Sequence, residues 1–125
     1  GLGLYATKDI KENTFLGITH ILDETFENNY IRTPLGGFYN HSNNPNIQRM
    51  ITNVKPSLNF GDPAPNPDEK SEIKNVDASR ENMYPKLFAR FMYIITIKEI
   101  KAGEELTANY NLYTYPSTGI GLQMI

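Results

Sequence analysis

Apolar and polar positions along this chain fall into short runs separated by turn residues, and no run carries a long helical period. Leu4 to Thr7 reads as a first short strand, preceded by Gly1-Leu2-Gly3 and followed by the polar turn Asp9-Ile10-Lys11-Glu12-Asn13. Thr14 to Ile21, TFLGITHI, is a β-rich run in which His20 reads as a satisfied strand residue rather than a ligand. Residues 22–36 are polar with scattered aromatics and predict one short helical turn around Glu24 to Asn29. Ile47 to Val54 alternates as a strand should. Leu87 to Ile97, LFARFMYIITI, is the strongest strand signal, β-branched and aromatic and too apolar for an exposed edge. Ala102-Gly103 is a turn, Leu106 to Tyr110 another short strand, and Asn111 to Pro116 is aromatic and irregular. The prediction is a mainly β fold of several small sheets.

Two stretches break this pattern. Gly37 to Asn46, GFYNHSNNPN, is too polar for a core strand and too aromatic at its start for a linker. Its Asn, Ser and Pro predict a chain of turns whose side chains bond back to backbone. Residues 56–85 hold five of the eight prolines and few aliphatics, which predicts a surface insertion loop, mobile at its middle, Asp62 to Lys70. The loop is not a domain boundary, since the roughly 40 residues after it could not fold alone. Residues 1–125 therefore read as a single domain.

Composition narrows the classes. With 39% hydrophobic and 21% charged residues, the chain is a soluble folded protein rather than a disordered tail. A net charge of −2 without any basic run argues against a nucleic-acid partner. Zero cysteines exclude disulfides and thiolate metal sites, and two isolated histidines predict no metal. No apolar run approaches the roughly 20 residues of a membrane helix, and no signal peptide stands out, so no membrane partner is expected. The chain opens on Gly1 without an initiator Met, which reads as a fragment or a processed form.

Three pieces in order carry chemistry. Gly1-Leu2-Gly3-Leu4-Tyr5-Ala6 alone is at its plainest a turn before a strand, where glycines permit close backbone approach. It is no dinucleotide fingerprint, because no third glycine follows at the right spacing and no helix opens after it. Asn40-His41-Ser42-Asn43-Asn44-Pro45-Asn46 alone would be an Asn-rich turn, and Tyr110 alone one of eight tyrosines. Joined to Gly103-Glu104-Glu105-Leu106-Thr107-Ala108-Asn109-Tyr110 through the strand from Tyr93, they resemble the SET-domain lysine methyltransferases, most of all the minimal viral and bacterial ones.

The resemblance implies a β-clip fold of small sheets with a C-terminal pseudoknot, the Asn40–Asn46 segment threading under the loop from Gly103 to Tyr110. It implies S-adenosyl-L-methionine as methyl donor and a protein or peptide with a target lysine as partner, a histone tail among the candidates. The backbone of Leu2, Gly3 and Leu4 would line the methionine part of the cofactor, with Tyr5 beside it. Asn40 and His41 would bind it as well, His41 near the adenine, and Tyr39 and Tyr113 would border it. Tyr110 would be catalytic. Gly37, Phe38, Ala108 and Tyr115 would form the lysine channel, carbonyls near Gly37 and Phe38 holding the polarised methyl. Tyr39, Tyr113 and Tyr115 would wall that channel, where cation–π attraction favours the incoming ammonium, though the terminal aromatics Tyr113 and Tyr115 could equally belong to the core. The smallest relatives often pair, which makes a homodimer a further expectation.

The chain departs from the family pattern in several places. No cysteines follow the last motif, so the zinc-bound tail of many members is absent. Asn109 stands where Asp is usual and Ala108 where Phe is usual, which leaves the degree of methylation open. The family's first strand would precede Gly1. Glu104 and Glu105 are not a carboxylate pair for acid–base work, because neighbours on a strand face opposite ways, so a solvated or turn-stabilising role is expected. The expected compartment is intracellular, cytoplasmic or, for a histone substrate, nuclear. The alternative from another class is a non-catalytic SET-like module that binds a peptide.

Overall fold

Strands form where β-branched and aromatic residues cluster, and several stay short because Gly, Asn or Pro interrupts the run. The computed structural model describes residues 2–23, 25, 30–64, 73–74, 87–88, 90–113 and 123–124. In chain order the strands are β1 (Leu4–Tyr5), β2 (Phe15–Leu22), β3 (Tyr30–Arg32), β4 (Asn40–His41), β5 (Ile47–Thr52) and β6 (Ile73–Lys74). They continue as β7 (Leu87–Phe88), β8 (Phe91–Thr96), β9 (Glu105–Ala108), β10 (Leu112–Tyr113) and β11 (Gln123–Met124). One 3-10 turn, Pro34–Gly36, sits between β3 and β4. The fold is mainly β, in several small sheets, as expected.

The largest sheet is antiparallel with order β3-β2-β8-β5. Strand β8 lies inside it, which suits its apolar run up to Thr96. Its alternate residues face two different clusters. Ile94 packs with Ala6, Ile10, Leu16, Tyr39, Ile47, Ile100, Leu106 and Ala108. Tyr93 and Ile95 pack with Phe15, Met50 and Ala64. A strand buried on both faces has no place for a polar alternation, and the sequence shows none.

The second sheet has the order β1-β9-β4. Strand β1 runs antiparallel to β9, pairing Leu4 with Leu106 and Tyr5 with Glu105. Strand β4 runs parallel to β9, pairing Asn40 with Thr107 and His41 with Ala108. Leu106 and Ala108 turn inward onto the Ile94 cluster. That packing fixes the sheet on the core and leaves Asn40 and His41 at its exposed margin. Two ribbons, β10-β6 and β11-β7, are also formed.

Several expectations need correction. Asn40–His41 is a strand, not a turn, because its ladder partner lies in β9, far along the chain. The run from Leu87 to Ile97 is two strands, β7 and β8, and the strand expected from Leu106 to Tyr110 ends at Ala108, so Tyr110 sits on the following turn. Strand β3 was not predicted. The start of the 56–85 segment is anchored rather than loose: the Phe15 N–H donates to the Asp62 carbonyl at 2.8 Å and the Ala64 N–H to the Asn13 carbonyl at 2.9 Å. The Asn13 side-chain amide returns a bond to the Ala64 carbonyl at 2.9 Å. Ala64, with Leu58 beside it, caps the Phe15 and Tyr93 cluster, and that apolar contact is what holds the segment down. The helical turn at Glu24–Asn29 lies outside the described residues, Thr25 apart, as do residues 65–70 and Tyr115.

Candidate functional site

The three sequence pieces meet at the β1-β9-β4 sheet. The Asn40 amide donates to the Leu2 carbonyl at 2.9 Å and to Glu105 Oε2 at 2.5 Å. One side chain thereby ties the glycine segment to the Gly-Glu-Glu-Leu-Thr motif. A Cβ at position 3 would lie 2.5 Å from Glu105 Oε2, 3.1 Å from the Tyr5 ring and 3.3 Å from Asn40 Nδ2. A side chain there would push the Glu105 carboxylate aside, and glycine instead leaves its backbone bare beside two polar groups. Leu2 and Tyr5 are exposed around this point. Asn40 Oδ1 takes no hydrogen bond among the described residues. With Glu105 it leaves an acceptor-rich margin.

Tyr110 is held by contacts from three directions. Its backbone N–H donates to His41 Nδ1 at 3.0 Å. A backbone N–H can only donate, so Nδ1 is the acceptor and the ring proton sits on Nε2, 3.2 Å from Asn43 Oδ1. The Tyr110 hydroxyl donates to the Tyr39 carbonyl at 2.6 Å. The Tyr110 ring meets the Tyr39 ring edge-on at 6.0 Å and the His41 ring at 5.1 Å. The Arg49 guanidinium carbon lies 5.8 Å from the centre of the Tyr110 ring.

The polar run after His41 largely satisfies itself. The Asn44 N–H donates to Ser42 Oγ at 3.0 Å, the side chain bonding back to backbone as the sequence predicts. Lys98 Nζ donates to Asn44 Oδ1 at 2.6 Å. Asn46 makes a two-way clasp on β9: its amide donates to the Glu105 carbonyl at 2.8 Å, and its Oδ1 accepts the Thr107 N–H at 2.9 Å. The Ser42 and Asn46 N–H groups donate to the Ala108 and Thr107 carbonyls. Asn40 to Asn46 is therefore laced to Glu105–Ala108 over its length.

Leu2, Gly3, Tyr5, Tyr39, Asn40, His41 and Tyr110 thus fall together, with Leu4 turned partly inward under them. Gly37 and Phe38 follow the 3-10 turn directly before Tyr39, and the Phe38 side chain is exposed. Ala108 is fully buried in the Ile94 cluster, not at an open surface. Tyr113 lies on β10, paired with Ile73. A small cavity of about 110 Å³, lined by Pro45, Ile47, Gln48, Arg49, Ile97, Asn109 and Leu112, sits beside the Tyr110 turn and includes none of the expected site residues. Among the described residues no group of acidic, His or Cys side chains could hold a metal ion.

Two residues escaped the sequence reading. Glu105 was placed among solvated or turn-stabilising carboxylates, which holds for Glu104, whose Oε1 accepts the Lys101 N–H at 2.9 Å. Glu105 instead joins the site through Asn40. Arg49 was read as part of a strand alternation, although a charge between Ile47 and Ile51 on one strand face was a signal that this face does more than aliphatic packing.

The family model for the SET domain matches residues 1–111. No curated protein and no solved structure matches the chain. The matched span contains the glycine segment, the Asn-His run and the motif ending in Tyr110, and the structure joins these three around one small sheet. The chain belongs to the SET-domain family.

Proposed function

We propose that this chain is a protein-lysine N-methyltransferase that uses S-adenosyl-L-methionine. SET domains are generally lysine methyltransferases. The observation that carries the reading is the convergence at the small sheet: Asn40 bonded to the Leu2 carbonyl, and Tyr110 bonded to His41 and to the Tyr39 carbonyl. In this reading the lacing of Asn40–Asn46 onto β9 is the family's threaded pseudoknot.

The residues present fit the cofactor. Glycine at position 3 leaves bare backbone, and Glu105 with Asn40 Oδ1 offers acceptors to a cationic amino acid group. Leu2, Gly3, Leu4, Tyr5, Asn40 and His41 would hold it, with Tyr39 and Tyr113 at its border. When bound, it supplies an electrophilic methyl group on a sulfonium. The chain's own share is alignment and exclusion of water, because an in-line displacement needs little else. The hydroxyl proton of Tyr110 is committed to the Tyr39 carbonyl, so the phenol oxygen is left as an acceptor. It would take an N–H from the lysine amine and turn the amine lone pair toward the methyl. The amine attacks only when neutral, and a desolvating channel favours that form. Gly37 and Phe38 are channel residues in this proposal, with Tyr115, which lies outside the described residues; Ala108, buried in the Ile94 cluster, is not one of them.

Isothermal titration of S-adenosylmethionine and S-adenosylhomocysteine into wild type and Asn40→Ala tests the site. The expected result is binding that falls by about tenfold or more in the variant, as for loss of a hydrogen bond to a charged group. Equal binding by both proteins would place the cofactor elsewhere.

A further inference from the structure

Arg49 occupies a position that packing alone would fill with an aliphatic side chain. It lies between Ile47 and Ile51 on β5 and directly opposite Ile94 on β8. Directly opposed residues of an antiparallel pair share a face. On this face Ile47 and Ile94 are fully buried in the core cluster against which Tyr110 packs. A guanidinium on an apolar face is costly unless it has partners. Arg49 Nε is buried without a hydrogen-bond partner among the described residues, and the Tyr110 ring is one of the groups the guanidinium meets. Its guanidinium carbon lies 5.8 Å from the Tyr110 ring centre, inside the range of a cation–π contact.

Tyr39 and His41 meet the same ring and also bond its hydroxyl and its backbone N–H. Those bonds fix the two ends of the residue but leave the tilt of the ring to packing. We propose that Arg49 is a positioning residue for Tyr110, its guanidinium holding the ring so that the phenol oxygen faces the amine to be methylated. The inference rests on the methyltransferase reading above. The mechanism needs the charge as well as the bulk: a cation over an aromatic face is attracted to it, whereas an aliphatic chain of similar length only fills space.

The test compares wild type, Arg49→Met, Arg49→Lys and Tyr110→Phe in two measurements. In methyl transfer to a lysine peptide, Arg49→Met should lower kcat about tenfold with KM within about twofold, and Arg49→Lys should recover most of the loss. In cofactor-free protein carrying ring-labelled tyrosine, the Tyr110 resonance is identified by its absence from Tyr110→Phe. It should move in Arg49→Met and return toward its wild-type place in Arg49→Lys. An unmoved resonance in Arg49→Met, or wild-type kcat in that variant, overturns the proposal. Should Arg49→Met fail to fold, Arg49→Lys and Arg49→Gln decide it, the first close to wild type and the second impaired. If wild type and Tyr110→Phe prove equally inactive, the methyltransferase reading fails, and the resonance alone still reports whether Arg49 holds the ring.

Discussion

Removing the oxygen from Tyr110 tests the site with the least disturbance to the fold. Tyr110→Phe keeps the ring against Tyr39, His41 and Arg49 and deletes only the bond to the Tyr39 carbonyl. Methyl transfer should fall by roughly 100-fold or more, the usual loss for one positioned polar group at a reacting centre. Stability should fall by only about 1 kcal/mol. Steady-state rates and a melting curve on the same sample read both. A second residue reports on the core. Burial pushes the Tyr93 phenol up from 10.0 to about 12. The folded state then keeps its proton where the unfolded chain has lost it. Stability is therefore intact below about pH 10 and declines as pH rises from there through 12, by roughly 2–3 kcal/mol in all. Urea midpoints at pH 8 and 11 should show this decline, and Tyr93→Phe should lessen it.

At the scale of elements, the small β1-β9-β4 sheet does the joining, and Asn46 is its clasp. Asn46→Ala removes two bonds and strands the Glu105 carbonyl and the Thr107 N–H. A cost of about 2–3 kcal/mol is expected in denaturant unfolding, with faster hydrogen exchange at the Thr107 amide. The sequence was an uneven guide to these elements. Strands β2, β5 and β8 were legible because their apolar residues are dense and local. Strand β4 was not: Asn40 and His41 are polar and exposed, and their partners Thr107 and Ala108 lie far downstream. No local pattern encodes such a pairing. Tyr110 was placed at a strand end, but the strand stops at Ala108, and the turn that follows is what aims the phenol at Tyr39.

Across the whole molecule, the main sheet separates two duties. One face carries the Ile94 cluster and, through Leu106 and Ala108, the sheet that bears the site. The other face packs Phe15 and Tyr93 under Leu58 and Ala64. Composition alone marked residues 56–85 as a loop, and proline and acidic residues hid the two apolar anchors that fasten its start. Ala64→Glu should therefore cost stability, about 2 kcal/mol or more for burying a charge, while leaving cofactor affinity nearly unchanged in the folded fraction. A combined unfolding and titration experiment checks both. The family was legible because its motifs are contiguous runs. The residues that support them, Glu105 and Arg49, were missed because their partners are set only by the fold.

The most direct test of the central claim is transfer of labelled methyl from S-adenosylmethionine to an array of lysine-bearing peptides, run side by side with wild type and Tyr110→Phe. Wild type should label a subset of peptides and lose each signal when the target lysine is replaced by arginine. Tyr110→Phe should label none, yet bind S-adenosylhomocysteine as wild type does. Equal labelling by both proteins would contradict the role of Tyr110. Firm cofactor binding by wild type without labelling of any peptide would favour a non-catalytic peptide-binding module instead.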